Sequence, residues 1–159
     1  MKVCVLLLFL FLALGGTVAS DEHWTNHNGE WWLAQTPRDK LSFLAGYVTA
    51  KTDSNISVQQ FKRSGHDFDK ESLRMMELQL ETSDFSQLSM GQLSDGLDQV
   101  YNDYRNKMVD FNGAVSYVKH QIRGRPQEQL DRELILIRCE ATSPHDVWGC
   151  VKTNTAPQP

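Results

Sequence analysis

The chain has 159 residues, with 16 Lys and Arg against 20 Asp and Glu, and a formal charge of −4. This mildly acidic balance argues against nucleic acid or an anionic membrane as partner, since both require clustered Lys and Arg. The length suits one compact domain with a real hydrophobic core.

Residues 1–20 read as a cleavable secretory signal. Lys2 gives a positive start, Val3 to Leu14 is continuously apolar, Gly15-Gly16 breaks the run, and Val18-Ala19-Ser20 offers small residues for cleavage. The run is shorter than the roughly 20 residues of a membrane-spanning helix. Export to the periplasm or the medium, with no membrane anchor in the mature form, is the expectation. Removal of this segment leaves 139 residues, takes away Lys2 and Cys4, and moves the charge to −5.

The mature chain divides into a polar N-terminal segment over 21–35, a helical domain over 36–150 and a disordered tail over 151–159. Trp31-Trp32-Leu33-Ala34 suggests one helical turn. Thr36 is an N-cap with Pro37 at the first helical position and Asp39 three residues on. Leu41, Leu44, Ala45 and Val48 then predict one buried stripe. Gly46 within it is read as a point of close approach by a neighbouring helix. Asp53-Ser54-Asn55 is expected to end this helix, with a further turn over Ser57 to Arg63 and a loop through Gly65, His66 and Asp67.

Asp69 caps a predicted helix reaching about Thr82, with Leu73, Met76 and Leu80 on one face. Ser89 and Gln92 form a capping box for the next helix, whose stripe is Leu93, Leu97, Val100, Tyr101 and Tyr104, ending near Asn106. In this reading Arg105 complements the negative end of that helix dipole. Ala114, Val115, Val118 and Ile122 mark another helix, stopped by Gly124 before Pro126. The last runs from about Gln127 to Cys139 on Leu130, Leu134 and Ile137, and a loop follows. The fold class is all-α: a single compact domain of four or five helices after a cleaved signal.

Export leaves two cysteines, Cys139 and Cys150, most simply a structural disulfide. Closing so short a loop is worth roughly 3 kcal/mol on the loop-entropy view. Motifs for a nucleophile elbow, a zinc helix, a phosphate loop or a dinucleotide fold are missing. Asp39, Asp69, Glu71, Asp95, Asp98 and Glu128 fall at caps and solvent faces. His66, Asp67, Asp69 and Glu71 lack calcium-loop spacing.

Asp21-Glu22-His23 would follow the new amino terminus, and an amine, two backbone nitrogens and an imidazole can make a square-planar copper or nickel site. Beyond this, no cofactor is implied. Asn55-Ile56-Ser57 matches a glycosylation acceptor. Trp31, Trp32 and Trp148 are interface candidates, because Trp anchors many interfaces. The competing reading has one of the paired tryptophans close the core and the other pack under the disulfide-held tail.

Leu44-Ala45-Gly46-Tyr47-Val48 resembles an aliphatic-x-Gly-Tyr-aliphatic segment of small exported helical proteins grouped with type VI secretion amidase-immunity proteins. Gly91-Gln92-Leu93, Val100-Tyr101, Asn106, and Ala114, Val115 and Val118 extend that likeness. The Tyr101-Asn102-Asp103-Tyr104-Arg105-Asn106 run and Ile122-Arg123-Gly124-Arg125-Pro126 are similar to uncharacterised secreted bacterial proteins. The resemblance implies an all-helical periplasmic fold that blocks a partner enzyme. The chain lacks that group's cysteines beside the Gly-Tyr segment, and no site residue carries over. The function expected is therefore protein binding without catalysis, of the immunity or inhibitor kind. A cell-envelope hydrolase, or a copper- or nickel-binding protein, is the alternative.

Overall fold

A computed structural model describes residues 27–155. Residues 1–20, read from sequence as a signal, together with Asp21, Glu22, His23, Trp24 and residues 156–159, lie outside the described residues. Among the described residues, seven α-helices and no strand make one compact all-α fold, within the class expected from the sequence. They are α1 (Gly29–Leu33), α2 (Pro37–Arg63), α3 (Lys70–Ser83), α4 (Met90–Asn102), α5 (Phe111–Ile122), α6 (Gln127–Thr142) and α7 (Val147–Thr155), with a 3-10 turn at Tyr104–Asn106.

The predicted starts are built as the capping chemistry requires. Thr36 Oγ1 accepts from the Asp39 N–H at 3.2 Å, and Asp69 Oδ1 accepts from the Ser72 N–H at 2.7 Å. The Ser89–Gln92 box is reciprocal, both bonds measuring 3.1 Å. Each such cap contributes about 1 kcal/mol by satisfying N–H groups that a helix leaves open.

The core lies between α4 and α5. Leu93, Leu97, Val100 and Tyr101 of α4 are buried against Phe111, Ala114, Val115 and Val118 of α5, and Leu130 and Ile137 of α6 cover α5. A Cβ at Gly96 would strike Val118 Cγ1, and one at Gly29 would strike the Tyr101 ring. At these positions, and at Gly113 against Ile137, helices meet backbone to side chain, and Gly46 is not such a point. Gly46 is exposed, with open space where a Cβ would stand.

The α2 stripe also differs from expectation. Leu44 is buried, but Leu41 is 43% exposed and Ala45 also faces solvent. The inward face carries Lys40, Phe43, Leu44, Tyr47 and Val48, so Leu44 and Val48 pack as expected while aromatic rings and a lysine stem stand in for Leu41 and Ala45. Nor does the helix stop at Asp53-Ser54-Asn55. Those polar groups bond across to α3: Asn55 Nδ2 donates to Leu80 O and Ser83 Oγ, both at 3.1 Å, and Ser54 Oγ accepts from Gln79 Nε2 at 3.3 Å. Tertiary partners thus override a local break signal. The 27 residues of α2 span about 40 Å, and α3 returns along their second half.

Two ends differ as well. α4 stops at Asn102, so Tyr101 is fully buried while Tyr104 is 77% exposed, outside the stripe. Instead of facing the α4 dipole, Arg105 pairs with Asp103, whose side chain caps the 3-10 turn. After Cys139 the chain is not a loop. α6 continues to Thr142, and Asp146 Oδ1 accepts from the Gly149 N–H at 3.0 Å to start α7. Residues 151–155, placed in the tail by sequence, are the end of that helix.

Candidate functional site

Cys139 and Cys150 form a disulfide, with Sγ–Sγ 2.08 Å and Cα–Cα 5.7 Å. It pins α7 to α6 and carries Trp148, which is 72% exposed. The tryptophan pair separates as its helical offset of about 100° requires. Trp32 is fully buried, so it is not an interface residue. Its indole Nε1 donates to Asp98 Oδ1 at 2.7 Å, and the same oxygen accepts from Lys40 Nζ at 2.6 Å. Asp98 is therefore a structural acceptor joining α1, α2 and α4, and not merely a solvent-facing acid.

Trp31 is half-buried among Phe43, Phe111 and His27, with ring centroids 4.7, 6.3 and 4.2 Å away. These rings, rather than the disulfide-held tail, are its surroundings. Among the described residues no group of three or more His, Cys, Asp or Glu could hold a metal ion. Asn55, the acceptor of the glycosylation motif, sits mid-helix with its amide donated to α3.

Two clusters bring Ser and His together. In the loop after α2, Ser64 Oγ lies 2.7 Å from His66 Nδ1, but that hydroxyl donates to Phe61 O at 2.6 Å. The imidazole must then donate to the serine and cannot take its proton. Between α5 and α6, Glu133 lies 2.8 Å from His120 Nδ1, 3.2 Å from Arg125 Nη1 and 3.5 Å from Ser116 Oγ. Here the serine faces the acid, and the acid clamps two helices. The first cluster has a serine–imidazole contact with its hydroxyl proton donated to a carbonyl, and the second has no serine–imidazole contact.

A cleft of about 330 Å³ opens between α2 and α5 and is closed by the end of α3. Tyr47 and Lys51 line it from α2, Thr82 and Phe85 from the α3 end, and Asn112, Val115, Ser116 and Lys119 from α5. Lys119 is 2% exposed. Its Nζ donates to Glu81 O at 2.8 Å and Thr82 O at 3.0 Å, so the ammonium sits on the negative end of α3. Burial foremost, then the charge of Arg123, lowers its pKa from the ordinary lysine value, while the Asp84 and Glu81 carboxylates pull the other way and Lys51 adds a smaller lowering. Tyr47 Oη donates to Asn112 Oδ1 at 3.0 Å. Burial foremost, then Asp110, pushes this phenol up to about 12, which keeps it a neutral donor.

Sequence reasoning passed over the cleft because its residues come from separate segments. One signal was available: Lys119 stands four residues after Val115, on the apolar face of α5. The chain matches no protein-family profile, no curated protein and no solved structure.

The other exposed feature is an arm made of the second half of α2 and all of α3. Between Leu44 and Phe85 no apolar side chain is fully buried. Met75 and Leu78, three residues apart on the outer face of α3, are 57% and 46% exposed, and Ile56 and Phe61 of α2 are exposed by about half.

Proposed function

We propose that this is an exported, non-enzymatic binding protein whose partner is another protein, gripped through the α2–α3 arm. The observation that carries the reading is the arm itself. Its exposed Met75 and Leu78 project among charged neighbours, Arg74 and Glu77, the arrangement of an apolar anchor inside a polar rim. The resemblance to amidase-immunity proteins supports an inhibitor role toward a cell-envelope enzyme, and the secretory signal would place the protein where such enzymes act.

Site-specific photocrosslinking in the secreting cell tests this. A crosslinker at Leu78 should give one discrete protein adduct, and one at Gln129, exposed on α6, should give none. The captured enzyme should lose activity when the parent protein is added and keep it with Leu78→Asp. Equal labelling at both positions, or no adduct at Leu78, would refute the arm as the binding surface.

A further inference from the structure

We infer that the cleft between α2 and α5 binds a small organic carboxylate, with its anionic head between Lys51 and Lys119 and its apolar body against Phe85 and Val115. This is independent of the outer surface carrying Met75 and Leu78, since it concerns a different ligand and different side chains.

The argument begins with charge. The protein is acidic overall, yet no acidic side chain stands among the described residues lining the cleft, and two lysines do. Neither lysine has a carboxylate within ion-pair distance among the described residues. Lys51 lies over the Tyr47 ring, its Nζ 5.4 Å from the centroid, and Lys119 Nζ is held by two backbone carbonyls and stands 5.3 Å from the centroid of the Phe85 ring.

An ammonium has three donors, and the two carbonyls use two of them. The C-terminus of α3 accounts for those two bonds. It does not account for a second lysine, Lys51, lining the same cleft. An anion bound in the cleft would accept from the remaining donor.

Hydrogen-bond polarity agrees. Because Asn112 Oδ1 accepts from Tyr47, its Nδ2 is left as a donor toward the ligand. The Ser116 hydroxyl makes only a long 3.5 Å contact, to Glu133, and can rotate to donate into the cleft. With the two lysines, these groups line one cleft as available donors, the kind of lining an oxyanion requires. The rest of the wall is apolar, with Phe85 8% exposed and Val115 1% exposed. That mixture suits an organic acid better than a bare inorganic ion. The volume lies at the small end of ligand sites, about 300–1,000 Å³.

Calorimetry and amide-shift mapping of the disulfide-bonded protein test the proposal, with benzoate as probe. Benzamide serves as the neutral isostere, and inorganic phosphate as a compact anion. Benzoate should bind saturably at one site and shift the amides of Lys51, Asn112, Ser116 and Lys119. Benzamide should bind at least about tenfold more weakly, and Lys51→Gln should weaken benzoate by about tenfold, the loss of one charge-assisted contact. Lys51 is only half-buried, so this variant keeps the fold and leaves the Lys119 contacts to α3 intact.

Absence of saturable benzoate binding would overturn the site. Equal binding of benzamide, or indifference to Lys51→Gln, would overturn the anionic recognition. Phosphate binding as tightly as benzoate would overturn the organic body of the ligand.

Discussion

The α4–α5–α6 body and the α2–α3 arm are built from helices of similar length and opposite economy of burial. In the body, Tyr101, Leu97 and Val118 are fully buried, and Gly96 lets two helices touch. The arm is held by amide and hydroxyl bonds such as Asn55 to Leu80 and Ser83, with an exposed Lys62–Glu77 pair at 3.2 Å near its tip. Fully burying one Leu or Val contributes about 1.5–3 kcal/mol, whereas an exposed ion pair contributes about 0–1 kcal/mol. Stability should therefore reside in the body, leaving the arm free to vary its surface for recognition.

The sharpest test of that division is Tyr101→Ala beside Leu78→Ala. Tyr101 packs against the Gly29 backbone, and its hydroxyl donates to Val109 O at 3.3 Å. Its removal should cost about 3–5 kcal/mol in urea unfolding, as for other core aromatics. Tyr101→Phe, which loses only that long bond, should cost about 0.5 kcal/mol, the low end for a hydrogen bond. Leu78→Ala should stay within about 0.5 kcal/mol of the parent. A loss at Leu78 as large as that at Tyr101 would mean that the arm is a second core and not a recognition surface.

Glycine gives a finer comparison, because two helix-interior glycines meet opposite surroundings. Gly96→Ala drives a methyl into Val118 and should destabilise by about 1–3 kcal/mol. Gly46→Ala enters open space and should stabilise by about 0.5–1 kcal/mol through helix propensity alone. Thermal unfolding of both variants decides the matter. Destabilisation by Gly46→Ala would restore the close-approach reading of that residue.

These contrasts also explain what the sequence could and could not reveal. Caps and apolar stripes are local, so Thr36, Asp69, Ser89 and the α4–α5 core could be read directly from residue order. The continuity of α2 was hidden because Asp53-Ser54-Asn55 breaks a helix in isolation, and its partners lie about 25 residues away on α3. The cleft was hidden for the same reason: Tyr47, Lys51 and Lys119 gain meaning only once α2 and α5 are side by side. Gly46 misled because a helical glycine looks alike in sequence whether it faces a neighbour or water. The aromatic pair was half legible. Geometry alone separates Trp31 from Trp32, but only Asp98 explains why Trp32 is the one turned inward.

A pH-dependent effect concerns the corner where the body turns from α4 toward α6. Asn106 Nδ2 donates to Val100 O at 2.7 Å and its Oδ1 accepts from Arg138 Nε at 2.6 Å, while Asp103 accepts from Arg105 at 2.6 Å and Arg138 at 2.9 Å. Hydrogen bonds from the Arg105 side chain and backbone, followed by the charges of Arg105 and Arg138, hold the Asp103 carboxyl down at about 2. Because the folded value lies below the ordinary aspartate value of 3.8, this stabilisation is complete above about pH 4 and disappears as pH falls through about 2. With the side chain 26% exposed, solvent screening limits the gain to about 1 kcal/mol. Asp103→Asn should therefore unfold about 1 kcal/mol more easily than the parent at pH 7, and the two should converge by pH 2. The measurement is urea unfolding at four or five pH values. A difference that stays constant across that range would show that the corner depends on the shape of residue 103 and not on its charge.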